Sequence, residues 1–177
     1  GGNRRKYCGG VSNSISNTEL ICEEKIPKIT INDVKYRILD WDDTTQKLTV
    51  AREDYSSGNV CAVNDNFKNS TFDNSLFQHY NNDVSNVTLL YNCDATANPQ
   101  NPSLGSVDCG DSKIVVYTVV SAASGICTPS VIVVIPISVS RAGQLFTGNG
   151  IEEALKDGFD LKWTGNYGQC QGCIGSG

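Results

Sequence analysis

The residues of this 177-residue chain with the widest chemical range are eight cysteines: Cys8, Cys22, Cys61, Cys93, Cys109, Cys127, Cys170 and Cys173. An even number spread along a polar, Gly- and Asn-rich chain reads as a disulfide framework, because cytosolic thiols are kept reduced and are usually sparse. Zinc is disfavoured, since its sites want paired C-x2-C knuckles or Cys/His partners. The chain offers one such knuckle, Cys170 to Cys173, with the solitary His79 far away. That Cys-Gln-Gly-Cys also has redox spacing, but catalytic pairs sit at a helix start after a strand, and this one ends a Gly-rich tail. No metal and no cofactor is expected.

Hydrolytic chemistry finds no better support. A nucleophile needs a base and an orienting group, and His79, in a Phe77-Gln-His-Tyr80 context, is the single imidazole. The paired carboxylates Asp42 with Asp43 and Glu152 with Glu153 read more simply as a turn and a helix first turn. Gly148-Asn-Gly150 before a helix could hold an anion but lacks the full phosphate-loop pattern. The segment is expected to be non-enzymatic.

Two sequons, Asn69-Ser-Thr71 and Asn86-Val-Thr88, are acceptors for N-glycosylation if the chain enters the secretory pathway. Together with the cysteines they place the chain outside the cytosol. Fourteen Lys and Arg against 19 Asp and Glu give a net charge of −5, which argues against nucleic acid as a partner. The longest apolar run, Val131 to Ile135 with Pro136 and Ile137 following, is far short of the roughly 20 residues of a membrane span. No membrane contact by this segment is expected. With no signal-peptide pattern and no methionine, the chain reads as an excised mature segment of a longer protein.

Alternating polarity supplies the scaffold. In Lys28 to Ile38, apolar and polar residues alternate on both sides of Asn32-Asp33, a two-residue connection that predicts a tight hairpin. Lys28 should oppose Arg37, Ile29 oppose Tyr36, Thr30 oppose Lys35 and Ile31 oppose Val34, with Ile29, Ile31, Val34, Tyr36 and Ile38 on one face. A third strand, Lys47 to Arg52, completes a β-meander with Leu48 and Val50 on that face. Further strands are expected over Val87–Tyr91, Ile114–Val120, Val131–Ile135 and around Phe159, Leu161 and Trp163. Residues 151–157 carry acids in the first turn, Lys156 in the last and Gly158 as the stop, which predicts a short helix. Residues 1–54 hold nine cations and nine acids, residues 55–177 five and ten, with Ser-Ser-Gly-Asn at 56–59 between them. The expected fold is all-β and disulfide-rich, two small β domains (1–54 and 60–177) with one short helix.

Leu155 to Trp163, followed by Cys170-x-x-Cys173 and Gly-Ser-Gly, resembles the end of the C-terminal extracellular domain of plant wall-associated receptor kinases. Upstream, Gly-Gly-Asn-Arg-Arg-Lys-Tyr-Cys8-Gly, Leu20-Ile-Cys22, the Ile29–Ile38 hairpin and Leu48 to Asp54 resemble the galacturonan-binding domain of those kinases and of the leaf-rust-resistance-locus type. The resemblance implies a segment of a single-pass receptor on the extracellular side of the plasma membrane, with a role in plant defence and with a serine/threonine kinase domain elsewhere in the full-length protein. The family's earlier cysteine pair and Tyr-Pro-Phe segment are missing, so residues 1–54 are expected to be an N-terminally truncated domain. Its Pro-Gly-Phe between the first two equivalent cysteines is replaced by the longer 11–17 loop. Sequence proximity and the resemblance together imply the bridges Cys8–Cys22, Cys61–Cys93 and Cys109–Cys127; Cys170 and Cys173 bond each other or partners in the flanks.

The implied ligand is an acidic cell-wall polysaccharide, and the hairpin supplies a surface for it. Parity puts Lys28, Thr30, Lys35, Arg37, Lys47 and Thr49 opposite the apolar set, and the same alternation puts Trp41 with them. Lys28 across from Arg37 is a like-charge pair that an anionic partner would relieve. Galacturonan carries a carboxylate on every sugar, so the cations would meet carboxylates while Trp41 stacks on a pyranose face. The alternative is a solvated sheet face with Trp41 turned into the core. A protein-interaction ectodomain recognising a secreted peptide, pathogen protein or co-receptor is the second reading, and a secreted redox protein using Cys170 and Cys173 the third.

Overall fold

The computed structural model describes residues 18–23, 26–62, 67–72, 76–94, 102–111, 113–119, 127–128 and 131–164. Strand pairs dominate them. β1 (Thr18–Glu23), β2 (Ile26–Ile31), β3 (Val34–Asp42) and β4 (Lys47–Arg52) run as an antiparallel meander. β5 (Phe77–His79) and β10 (Phe159–Trp163) extend it, giving a six-stranded sheet in the order β1-β2-β3-β4-β10-β5. The second sheet has the order β7-β8-β6-β9, from β6 (Val84–Asp94), β7 (Leu104–Asp108), β8 (Lys113–Thr118) and β9 (Val131–Ser138). Two short helices, α1 (Val139–Ala142) and α2 (Gly150–Asp157), follow β9. The fold is mostly β, as the alternation and β-branched runs predict, although β1, β5, β7 and α1 carried too little periodicity to be anticipated.

The predicted hairpin register holds at all four positions from Lys28↔Arg37 to Ile31↔Val34. Asn32 and Asp33 both have positive φ, 49° and 62°, the mirror-image turn whose twist matches that of the flanking strands. Each sheet buries one face. Ile29, Ile31, Tyr36, Leu48, Val50, Phe77, Phe159 and Leu161 form the core of the first, and Val87, Leu89, Tyr91, Val115, Val133, Ile135 and Ile137 that of the second. α2 covers the second core with Ile151, Ala154 and Leu155. Gly158, at φ 68°, then turns the chain straight into β10, and a Cβ there would lie 2.0 Å from the Val50 carbonyl oxygen. Because β10 lies between β4 and β5, the first sheet is not built from residues 1–54 alone.

Arg52 joins the two sheets. Its side chain is 1 % exposed yet makes a fork of bonds to Asp54, Nε to Oδ1 at 3.0 Å and one terminal nitrogen to Oδ2 at 2.6 Å. The other terminal nitrogen donates to the Lys68 carbonyl at 2.5 Å and the Ser70 hydroxyl at 3.4 Å. The guanidinium also lies 5.1 Å from the centroid of the Tyr55 ring, a member of the second core. The Tyr91 hydroxyl donates to the Val60 carbonyl at 3.1 Å, which leaves Tyr55 as the donor in the 2.8 Å bond between the two phenols.

The bridges differ from those expected. Cys61 is bonded to Cys109 and Cys93 to Cys127, not Cys61 to Cys93 and Cys109 to Cys127. Sheet order and a bulge explain it. Cys109 follows β7, two strands away from β6, whereas the short 3-10 turn Val60–Ala62 packs against β7. In β6, Leu90 opposes Val116 and Cys93 opposes Ile114, so one extra residue intervenes. Asn92, at φ 59°, lies in this bulge and moves Cys93 from the Tyr91 face to the Leu90 face, where Cys127 packs. Cys8 and the side chains of Cys22, Cys170 and Cys173 lie outside the described residues.

Two outcomes follow from this core. Burial pushes the Tyr36 and Tyr55 hydroxyls up to about 12, above the 10.0 of an unfolded chain. A raised phenol stabilises the fold fully below pH 10 and loses that contribution as pH rises through 12, by roughly 2–3 kcal/mol for each tyrosine. The urea midpoint should therefore fall steadily between pH 10 and 12, and Tyr36→Phe should make the fall shallower. Non-reducing peptide mapping should return Cys61 linked to Cys109 and Cys93 linked to Cys127; a Cys61–Cys93 peptide would contradict the sheet order.

Candidate functional site

The outward face of the six-stranded sheet collects the cations that the alternation singled out. Lys28 and Arg37 are directly opposed, Lys35 is exposed two residues before Arg37, and Lys47 and Thr49 stand on β4. β10 adds Lys162 opposite Lys47 and Asp160 opposite Thr49. Sequence reasoning missed Lys162 because its place depends on a strand 115 residues downstream of Lys47 pairing with β4, and no local pattern reports that.

Two of these cations are already matched. The Lys28 ammonium lies 2.7 Å from the Glu53 carboxylate, and that of Lys47 lies 3.6 Å from Asp160, whose other oxygen accepts from the Thr49 hydroxyl at 2.6 Å. Arg37 is different: its Nε is buried and has no hydrogen-bond partner among the described residues. Beside it Ala51, opposite Arg37 on β4, is buried. An unpartnered donor of a charged group next to an exposed Lys35 leaves positive potential concentrated at the β2–β3 end of the face.

The other end departs from expectation. β3 and β4 change register between Ile38 and Asp40, so that Asp40 opposes Thr49, Trp41 opposes Leu48 and Asp42 opposes Lys47. Leu39 is the extra residue of this bulge and is 42 % exposed. Every later side chain of β3 is thereby exchanged between faces. Trp41 goes to the apolar side, where it packs against the core with its ring centroid 6.1 Å from that of Trp163. Its indole Nε1 donates to Asp43. The expectation that Trp41 shares the face of Lys35 and Arg37 is therefore corrected. Asp40 and Asp42 take its side instead. The Thr45 hydroxyl and the Thr44 amide donate to Asp42, at 2.8 and 2.9 Å, and hold its carboxyl below the usual carboxylate range. The face is cationic around Lys28, Lys35 and Arg37 and mixed around Lys47, Lys162, Asp40, Asp42 and Asp160.

His79 stands exposed at the edge strand β5, its ring 5.9 Å from that of Phe72. Among the described residues, no three His, Cys, Asp or Glu side chains converge on a point that could hold a metal ion. No helix there is long and apolar enough to cross a membrane. Asn69 and Asn86 are both exposed.

Residues 92–177 match the family model described as wall-associated receptor kinase C-terminal. The matched span runs from the bulge of β6 to the chain end and includes β10 of the first sheet. A galacturonan-binding domain is not detected in the remainder. No curated protein and no solved structure matches the chain. A disulfide-bonded domain of this kind suggests an extracellular location.

The exchange of faces at the bulge predicts how two substitutions should differ. Trp41→Ala should lower stability by roughly 2 kcal/mol, since it empties space beside Trp163, whereas Lys35→Ser should change it by less than about 0.5 kcal/mol. Urea denaturation of both variants distinguishes this arrangement from one with Trp41 free on the surface, in which neither change would register.

Proposed function

We propose that this segment is a ligand-binding part of a receptor kinase ectodomain and that it engages an acidic cell-wall polysaccharide of the galacturonan type. The family match to residues 92–177 supports the receptor context. The observation that carries the ligand class is the Arg37 guanidinium, buried at Nε without a partner among the described residues, opposite Lys28 and next to exposed Lys35. Lys28 already has Glu53, so an incoming carboxylate meets Lys35 and Arg37 first. Arginine suits this role, because its planar fork takes a carboxylate through two parallel bonds. Lys47 is a secondary contact, being matched to Asp160, and Trp41 supports the sheet from beneath rather than stacking on a sugar.

A second reading has its own support. The bulge exposes Leu39 and places Asp40 and Asp42 beside the cations, a mixed apolar and charged surface of the kind a secreted peptide or protein partner would match. A polyuronate would be repelled at that end.

Retention on de-esterified pectin tests the first reading. Individual exposed charge pairs are weak, so affinity would come from several contacts along the polymer and should fall as salt rises. Lys35→Ser with Arg37→Ser should abolish retention with the fold intact, and Asp40→Asn should strengthen it. Retention that ignores the double substitution, salt and methyl-esterification would displace the polysaccharide in favour of the protein partner.

A further inference from the structure

The two sequons lie 17 residues apart in the chain, but the fold brings them to opposite sides of one strand. Asn86 stands on β6 directly opposite Pro136 of β9. Asn69 lies beyond the other edge of β9, where its side-chain carbonyl accepts from the Val134 amide at 2.8 Å and the next amide, Ser70, donates to the Val134 carbonyl at 3.1 Å. By ordinary sheet spacings the two asparagines are roughly 10 Å apart across the sheet and about 7 Å apart along it.

β9 ends the four-stranded sheet, so its outward groups need protection. Outward amides recur every second residue. That of Val134 is taken by Asn69, position 136 is a proline with no amide hydrogen, and that of Ser138 donates to the Gly158 carbonyl at 3.3 Å. Ile132, 52 % exposed, is the remaining outward position of the strand.

The segment bearing Asn69 is held from every side. Arg52 binds the Lys68 carbonyl and the Ser70 hydroxyl, Asn32 donates to the Thr71 carbonyl at 3.0 Å and its hydroxyl at 3.2 Å, and Lys68 pairs with Asp33 at 3.6 Å. Phe67 and Phe72 anchor its ends against Tyr91 and Tyr36. Asn69 itself remains exposed.

We propose that Asn69 and Asn86 both carry N-linked glycans and that the two converge on β9, covering the edge around Ile132. Transfer from a polyprenyl-diphosphate-linked oligosaccharide forms a bond between the asparagine Nδ2 and the anomeric carbon. It breaks that carbon's bond to the diphosphate, which leaves as the amide loses one proton. The product is still an amide whose Oδ1 accepts hydrogen bonds, so the Val134 contact of Asn69 survives modification. A glycan at Asn69 is therefore part of a finished edge rather than an intrusion into it.

The chain secreted from a eukaryotic host, treated with peptide-N-glycosidase in 18O-water and mapped by mass, should show both asparagines converted to labelled aspartate. Folded secreted protein with either one unmodified overturns the proposal. Convergence is read separately, from the rate at which a bulky polyethylene glycol maleimide labels Ile132→Cys. Labelling should be several-fold slower in the glycosylated protein than with Asn69→Asp and Asn86→Asp, which keep the acceptor oxygens, while Leu39→Cys labels alike in both. Equal rates at Ile132 overturn the convergence. Hydroxyl-radical footprinting of exposed Ile132 in the two glycoforms gives the same comparison if the new thiol disturbs secretion.

Discussion

A buried guanidinium ties the two sheets to each other. Arg52 ends β4 on the apolar side of the first sheet, and a charge there is tolerated only because Asp54 neutralises it and the Lys68 carbonyl and Ser70 hydroxyl take its remaining donors. Removing one partner of such a group leaves an uncompensated buried charge, at a cost of about 3–5 kcal/mol. The same guanidinium lies against Tyr55, whose phenol reaches Tyr91 in the second core. Arg52 therefore makes both a polar and an apolar link between the sheets.

This seam explains why the 67–72 segment is ordered without being a strand. Its Lys68 and Thr71 carbonyls and its Ser70 amide are satisfied by Arg52, by Asn32 and by the β9 edge, and its partly buried aromatic ends pack against the two different cores. These bonds are what give Asn69 a defined position. The seam also relates the family match to the whole fold. Residues 92–177 supply most of the second sheet and also β10, which is hydrogen-bonded to β4 on one side and β5 on the other. The matched region and the residues before it share the first sheet.

Two bulges decide the surface chemistry. In a strand the side chains alternate with a period of two, so one inserted residue transfers everything after it to the opposite face. At Leu39 the insertion turns Trp41 against the core and brings Asp40 and Asp42 out beside Lys47. At Asn92 it brings Cys93 to the side where Cys127 waits. The candidate binding face and the disulfide framework both depend on these local faults in the ladder.

By itself the sequence determined what rests on local periodicity. The Lys28↔Arg37 register, the Asn32-Asp33 turn, the return strand at Lys47 and the helix ended by Gly158 all follow from alternation, turn residues and capping within a few residues. Lys28, Lys35, Arg37 and Lys47 were legible as one face for the same reason. The tertiary structure decided whatever rests on contacts distant in the chain: β10 beside β4, Lys162 opposite Lys47, the cysteine partners and the role of Arg52, which in sequence is one more cation after a strand. The bulges divide in the same way. Asn92 is a residue type that tolerates positive φ and could have signalled one, whereas Leu39 gives no such sign, because its place is set by how β3 and β4 fit over a common core rather than by its own backbone preference.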